Sequence, residues 1–255
     1  PDRTPSPQSG EEGMPVGLQA LRLFSKEAEL EPGLKDLDDL MRRVDLPLCP
    51  VLADMESRGL GVDGSRLREL EESLRGRLET IEREIGIHAG ETINLSSPKQ
   101  VAELLFERLG LPPVKKTKTG FSTAVTVLEE LARLPVPEAV VPRLLLEYRE
   151  ASKMSTGFVR PFLDLAGDAS RACIHTTFEH TTTGTGRLSS RDPNIQNLPV
   201  FGQWAGELRS CFVPGEKGWV FVAADYSQIE LRVLAHLCGD SRLREAFCEG
   251  RDIHQ

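Results

Sequence analysis

The spacing of apolar residues changes near Cys173, and this change constrains the fold more than any other feature of the sequence. Before it, apolar residues return every three or four positions, which is the period of an amphipathic helix. After it, short β-branched and aromatic runs alternate with Gly and Pro, which is typical of strands and turns. The sequence therefore predicts an α+β protein, with a mostly helical front part followed by a mixed α/β part that has antiparallel strands.

Capping residues mark where several helices begin. Asp63 or Ser65 can cap a long helix over about 66–85, and Ser97, followed by Pro98 and Gln100, predicts a helix that runs to about residue 110. Helical spacing is also present over 18–60, after a cap at Ser122 or Thr123, and over 138–165, 228–238 and 241–249.

Side-chain directions can be predicted on one of these helices. Arg143, Glu147 and Arg149 lie on the polar side of the 138–165 helix. Charged residues on the polar face of an amphipathic helix are usually solvated. We therefore expect these three side chains to face outward.

Three runs predict strands, at 173–178, 209–213 and 219–224. The last run is almost continuously apolar and ends on Asp225, immediately before a helix. A carboxylate held rigidly at a strand end is a suitable ligand for Mg²⁺. Asp225 or Ser227 could equally cap the helix that follows, so this pattern alone leaves both interpretations open.

The cysteine and histidine spacings exclude several classes of protein. The five cysteines include no C-x-x-C pair, and the five histidines show no H-E-x-x-H spacing, so a disulfide framework, a structural zinc site and a transition-metal enzyme are not predicted. Unpaired cysteines fit a reducing compartment. No apolar run approaches 18 residues and no secretory signal is visible, so a membrane-spanning helix is not expected.

The net charge is −8, from 31 Lys and Arg against 39 Asp and Glu. This acidic balance, taken alone, argues against a nucleic-acid partner. Its distribution argues otherwise, because residues 111–215 hold 12 basic and 10 acidic residues. The acidity belongs to the helical front and to the last part of the chain, so the whole-chain charge does not exclude a nucleic-acid surface between them.

Residues 225–232 (DYSQIELR) resemble motif A of the family A DNA polymerases. Other stretches agree with this resemblance in the order expected for the family: 94–100, 115–120, 147–156, 183–190, 192–199, 233–240 and 249–254. The resemblance covers about residues 46–255. It implies three regions: 1–45, a lead-in that could include the tail of an exonuclease-like domain; 46–165, a helical thumb region; and 166–255, a partial palm with motif A and without the fingers.

The resemblance implies specific roles in motif A. Asp225 matches the carboxylate that binds both catalytic Mg²⁺ ions, and the backbone carbonyl of Tyr226 would be a further metal ligand. Ser227 and Gln228 would lie beside the incoming nucleotide and the primer-template. Glu230 matches the side chain that blocks a ribose 2′-hydroxyl and so selects deoxynucleotides.

The same resemblance implies contacts with primer-template DNA. Arg187 matches an arginine that reaches the minor groove, and Asn194, Gln196 and Asn197 match amide side chains along that groove. Minor-groove acceptors are nearly the same for every base pair, so such donors test pair geometry without reading sequence. For Asn194, a turn whose amides cap their own backbone remains an equally good interpretation.

Four lysines are implied to neutralise backbone phosphates, which would set affinity and salt dependence. They are Lys115, Lys116 and Lys118 in the thumb loop, and Lys153. A solvated run of charge is the alternative for any single lysine. No protein partner and no membrane contact is implied.

The function implied is a fragment of a DNA-templated DNA polymerase that adds deoxynucleotides to a primer 3′ end by two-metal phosphoryl transfer. The second metal-binding Asp of the family occurs in a His-Asp-Glu word, which this sequence does not contain. We therefore expect the 255-residue chain to be inactive alone. Two alternatives are a non-catalytic DNA-binding module and, less favoured, a nuclease. A bacterial, nucleoid-associated cytoplasmic location is expected, and an organellar one stays open.

Overall fold

The computed structural model of this chain describes residues 32–117 and 120–251. Most of the described chain is helical, with small antiparallel sheets, which confirms the predicted α+β class. The chain divides into two compact units, of which the first ends at Lys217 and the second begins at Gly218. No described helix is both long and apolar enough to cross a membrane. Residues 1–31 of the predicted lead-in (1–45) lie outside the described residues.

Two helices joined by a π-helical turn form the front of the first unit. They are α1 (Pro32–Leu40), the turn Met41–Asp45 and α2 (Leu46–Arg58), which continues through Pro50. Leu52 is buried, but much of the predicted apolar stripe is solvent-exposed: Leu37, Leu40, Val44, Val51 and Met55. The spacing correctly predicts the helices but not their burial, because a helix hides a stripe only where another element packs over it.

A long helix, α3 (Gly64–Ala89), confirms and extends the helix predicted over 66–85. The Asp63 carboxylate accepts hydrogen bonds from the backbone N–H groups of Ser65 and Arg66, at 3.0 and 3.1 Å. Asp63 is therefore the cap, and Ser65 is already inside the helix. The helix ends at Gly90, whose φ of +75° is the left-handed conformation that glycine adopts without a Cβ clash.

Further helices complete the region predicted to be the thumb. Ser97 caps α4 (Pro98–Ala102) as predicted, and a π-helical turn (Glu103–Arg108) continues it. The cap predicted at Ser122 or Thr123 is wrong: α5 (Val125–Ala132) begins after Ala124, and the Ser122 hydroxyl accepts from the Ala124 N–H at 3.3 Å. The 138–165 helix has four parts: a 3₁₀ turn (Pro137–Ala139), α6 (Val140–Met154), a π-helical turn (Ser155–Val159) and α7 (Arg160–Ala166).

The first unit has two apolar cores that share α3 and α6. One core includes Ile81, Ile85, Leu104, Leu105, Leu128, Leu131 and Leu145. The other includes Val62, Leu67, Leu74, Met154, Phe162, Ile174, Trp204 and Leu208. Apolar side chains of α3 belong to both cores, so one helix connects two packed regions.

Charged side chains on α3 and α6 hydrogen-bond to neighbouring segments. Arg77 on α3 donates two hydrogen bonds to Glu147 on α6, at 2.5 and 2.7 Å, and these bonds hold the pKa of Glu147 below its ordinary value. Arg149 donates to the backbone carbonyl of Thr123, and burial lowers its pKa. Arg143 donates to a backbone carbonyl at 2.9 Å. The predicted outward orientation is therefore wrong for Glu147 and Arg149, which are half-buried against neighbouring segments, whereas Arg143 is exposed as predicted.

A three-stranded antiparallel sheet lies beside the second core. Its central strand is β1 (Leu60–Asp63), flanked by β4 (Arg171–Ile174) and β7 (Phe212–Val213). A Cβ on Gly61 would lie 2.4 Å from the carbonyl oxygen of Val213, so only glycine fits this crossing.

Two of the predicted strands are shorter than expected. The 173–178 run is divided between β4 and β5 (Thr177–Glu179), and β5 pairs with β6 (Ser189–Arg191). Residues 209–210 belong to α8 (Ala205–Ser210), because Leu208 on this helix packs into the second core. The predicted strand at 209–213 is therefore reduced to two residues.

A short hairpin precedes α5. It consists of β2 (Lys116–Thr117) and β3 (Gly120–Phe121), which pair antiparallel. Lys118 lies in the part of the loop outside the described residues.

The second unit corrects the strand predicted at 219–224. These residues form no strand, and Trp219, Val220, Phe221 and Val222 are each at least 55% exposed. A strand needs a hydrogen-bonded neighbour, and none of the strands in the described ranges pairs with this run. The predicted helices are confirmed as α9 (Ile229–Cys238) and α10 (Ser241–Cys248), which Asp240 caps.

Candidate nucleic-acid and nucleotide site

Asp225 lies in an irregular, exposed stretch just before α9. Gln228 precedes that helix with a φ of +51°, and no side-chain hydrogen bond caps it. The interpretation of Asp225 or Ser227 as a helix cap is therefore wrong. The Ser227 backbone carbonyl instead accepts from the Arg232 side chain at 2.9 Å, and Arg232 also stacks over Phe247, 4.6 Å from its ring centre.

The donor set around Asp225 does not by itself form a metal site. Among residues 32–117 and 120–251, no group of three or more His, Cys, Asp or Glu side chains could hold a metal ion. Asp225 and the carbonyl of Tyr226 supply two oxygens of the kind that Mg²⁺ prefers, but an octahedral ion needs more ligands. Any ion site that includes Asp225 therefore needs further oxygen ligands, which water or substrate phosphates can supply.

Motif A keeps its other predicted residues together because they are consecutive. Tyr226 and Ser227 are exposed, and Gln228 is half-buried. Glu230 lies in the first turn of α9 and is exposed. Gln228 and Glu230 have interactions within the protein. The structure therefore places these side chains at the start of one helix, on an accessible segment.

The residues predicted to contact the minor groove lie on both sides of the short strand β6. Arg187 precedes the strand, and Asn194, Gln196 and Asn197 follow it. The Asn194 Oδ1 accepts from the backbone N–H groups of Gln196 and Asn197, at 3.1 and 3.2 Å. The Gln196 side chain donates to the carbonyl of Leu188 at 3.2 Å, which ties the two halves of the loop together. Asn194 thus makes the backbone-capping turn that the sequence left open. Arg187 and Asn197 are exposed on the same loop.

The thumb lysines are solvent-exposed wherever the structure describes them. Lys115 and Lys116 lie at the β2–β3 hairpin, and Lys153 lies in the last turn of α6. Exposure leaves their charges available for an anionic partner.

A groove of about 440 Å³ lies beside Lys153, and its lining includes Leu95 and Pro98 as well as polar side chains. Sequence reasoning did not select most of its lining, which combines hydroxyl and cationic groups: Ser96, Tyr148, Arg149, Ser152, Lys153 and Thr156. The signal available was their position inside the 94–100 and 147–156 stretches. A larger cavity of about 860 Å³ includes Lys99, Glu103 and Glu107. Because this cavity has two carboxylates beside one lysine, it suits an anionic ligand less well than the groove beside Lys153 does.

Comparison with known proteins assigns the family. The model of DNA polymerase family A matches residues 64–255, so this chain belongs to the family A DNA polymerases. The family predicted from motif A is thereby confirmed. Members of this family are generally metal-dependent.

Two curated relatives show the extent of the similarity. The chain is 43% identical over 241 residues to DNA polymerase I of Bacillus subtilis (strain 168), covering 94% of this chain and 27% of the relative. It is 45% identical over 236 residues to the thermostable DNA polymerase I of Thermus aquaticus, covering 91% and 28%. The chain therefore spans about a quarter of the length of these relatives.

A solved structure is also similar. It is the POL domain of Pol1 from M. smegmatis in complex with DNA primer-template and dNTP, with a TM-score of 0.74 and 36% identity. The match covers 86% of this chain and 38% of that chain. The fold described above is thus the fold of part of a polymerase domain.

Proposed function

We propose that this chain is the thumb and the first part of the palm of a DNA-templated DNA polymerase, which adds deoxynucleotides to a primer 3′ end by two-metal phosphoryl transfer. The observation that carries the proposal is the family match, which runs from residue 64 through motif A to residue 255. The similar polymerase domain in complex with primer-template and dNTP supports the same partners for this chain.

We assign primer-template binding to the amide loop, defined as residues 187–197, and to the four lysines predicted to contact phosphates. Arg187, Gln196 and Asn197 would donate to minor-groove acceptors, which makes binding independent of sequence. Lys115, Lys116, Lys118 and Lys153 would neutralise phosphates, so that affinity falls as salt rises. The groove beside Lys153 extends this cationic surface with hydroxyl donors.

Nucleotide selection and metal binding are assigned to motif A. Glu230 would exclude a ribose 2′-hydroxyl, with Ser227 and Gln228 beside the nucleotide. Asp225 and the Tyr226 carbonyl would contribute ligands to a Mg²⁺ pair, and the remaining ligands would come from other parts of the complete polymerase. Asp225 without the family's second metal-binding Asp cannot assemble the two-ion site, so we expect the 255-residue chain to bind primer-template without extending it.

We also propose that the complete polymerase works at the nucleoid in the bacterial cytoplasm, since the relatives named above are bacterial proteins. A fluorescent fusion should colocalise with DNA stain in bacterial cells. A mitochondrial or plastid pattern in a eukaryotic host carrying the native gene would contradict this location. We also propose the division of the chain into a lead-in (1–45), a thumb region (46–165) and a partial palm (166–255).

Two measurements on the pure chain test the function. Fluorescence anisotropy with a labelled primer-template should show binding at low salt that weakens linearly in a plot of log affinity against log salt. Incorporation of labelled dNTP with Mg²⁺ should not exceed background. Absence of binding at low salt would contradict the DNA-binding role, and primer extension by the chain alone would contradict the incomplete metal site.

A further inference from the structure

Two buried hydroxyl groups hydrogen-bond to residues of the amide loop (residues 187–197). Ser190 lies within the loop, and Thr176 lies outside it. Ser190 is 4% exposed and Thr176 is 7% exposed, and they are among the few buried polar residues of the described chain. Burying a hydroxyl is unfavourable unless it is hydrogen-bonded. The partners of these two groups therefore indicate what they do.

Ser190 closes a small ring of hydrogen bonds. Its Oγ donates to the Asn194 Oδ1 at 3.2 Å and accepts from the Gln196 N–H at 3.3 Å. The same Asn194 oxygen accepts from the N–H groups of Gln196 and Asn197. The buried hydroxyl thus fixes both the turn-forming side chain and the backbone of the residues that follow it.

Thr176 attaches the other side of the loop to the sheets. Its Oγ1 lies 3.0 Å from the carbonyl oxygen of Arg191 and 2.7 Å from that of Pro193. Its one proton can be donated to only one of them at a time. Thr176 lies between β4 and β5, which belong to two different sheets. The position of the loop is therefore set from paired strands.

We propose that Ser190 and Thr176 are positioning residues that hold the amide loop in its DNA-binding conformation. Asn194 belongs with them, because its carbonyl oxygen is committed to the turn, and Gln196 and Asn197 are the side chains that the turn presents. This inference rests on the proposed function for its DNA partner. The conformation of the loop itself can be measured without DNA.

The first experiment measures amide hydrogen exchange by NMR in the free 255-residue chain. Ser190→Ala should speed exchange at Gln196 and Asn197 by about tenfold or more, which corresponds to the loss of one or two hydrogen bonds, with β1 and β4 amides unchanged. Ser189→Ala is the matched control, because the Ser189 hydroxyl bonds to the Glu179 carbonyl instead. Unchanged exchange at Gln196 and Asn197 in Ser190→Ala would overturn the proposal.

Thr176 supplies an independent pair of variants. Thr176→Val removes the hydroxyl at nearly the same volume and should speed exchange in the loop, whereas Thr176→Ser keeps the hydroxyl and should restore the slow exchange. Similar exchange in both variants would overturn the role of Thr176. This pair keeps the proposal testable if Ser190→Ala does not fold.

The second experiment is a double-mutant cycle on primer-template affinity. Asn197→Ala should weaken binding in the wild-type background and have little further effect in Ser190→Ala, because the loop no longer presents residue 197. Fully additive losses would overturn the positioning role, since they would show that Ser190 acts independently of the loop. If the wild-type chain binds no primer-template, the proposed function fails, while the exchange experiment still decides what holds the loop.

Discussion

The proposed thumb region (residues 46–165) and the motif A segment (residues 218–251) bury their apolar side chains to very different extents. Leucines and isoleucines of α3, α5 and α6 are fully buried in two cores, whereas the apolar run before Asp225 is mostly exposed. Yet the motif A segment carries the sharpest family resemblance. The residues that best reveal the chemistry of a chain need not be the residues that stabilise its fold.

The largest expected effect comes from a core aromatic residue. Phe162 is buried and meets Phe212 edge-on, with ring centres 5.2 Å apart. Phe162→Ala should lower the free energy of unfolding by about 3–5 kcal/mol, measured by urea titration. The matched variant Phe221→Ala, on an exposed side chain, should change it by less than about 0.5 kcal/mol. Equal losses would remove the contrast between the two regions.

The ion pair between Arg77 and Glu147 gives the next effect. Because Arg77 holds the pKa of Glu147 below its ordinary 4.5, the pair stabilises the fold above about pH 4.5, and this contribution disappears as pH falls through the lowered pKa. Glu147→Gln should lower the free energy of unfolding by about 1 kcal/mol at pH 7. The stability of this variant should also fall less steeply than that of the wild type as the pH is lowered. Glu79→Gln, an exposed carboxylate on α3, is the control. An identical acid profile in wild type and Glu147→Gln would contradict the assignment.

The hairpin lysines test whether the thumb contributes binding as well as stability. Replacing Lys115 and Lys116 by Gln should weaken primer-template binding several-fold and reduce the slope of log affinity against log salt by roughly 1 per lost phosphate contact. Lys217→Gln, outside the proposed contacts, controls for net charge. Equal slopes in all three proteins would show that the hairpin lysines are solvated charges.

The smallest effect is expected in motif A. Asp225→Asn should leave the stability of the 255-residue chain within about 0.5 kcal/mol, because the carboxylate is exposed. Its affinity for primer-template should also be nearly unchanged. Thermal unfolding with and without Mg²⁺ provides the check. A Mg²⁺-dependent stabilisation that Asp225→Asn abolishes would show that this chain forms a metal site of its own.

Local signals predicted much of the fold correctly. The Asp63 and Ser97 caps and the helices after Gln228 and Asp240 depend on hydrogen bonds within a few residues, so the sequence contains all the partners. The strand expected before Asp225 depends on neighbours far away in sequence, and apolar character alone does not supply them. The backbone hydrogen bonds of a strand are made to another strand, whereas those of a helix are made within the same segment.

The candidate site shows the same limit. Motif A was predictable because its residues are consecutive. Helical spacing could not show that Glu147 and Arg149 bond to other segments, because spacing predicts which face of a helix is polar but not which residues pack against that face. Ser190 was missed because a buried serine has no distinctive sequence pattern.

The two cores of the first unit have a mechanical consequence. Residues around Leu104 and Leu128 share no apolar core with those around Phe162 and Leu208, and α3 and α6 join the two groups. Such a molecule can open in separate cooperative blocks, each with its own opening free energy. We therefore expect amide hydrogen exchange to give two distinct opening free energies, one for the core around Leu104 and Leu128 and one for the core around Phe162 and Leu208.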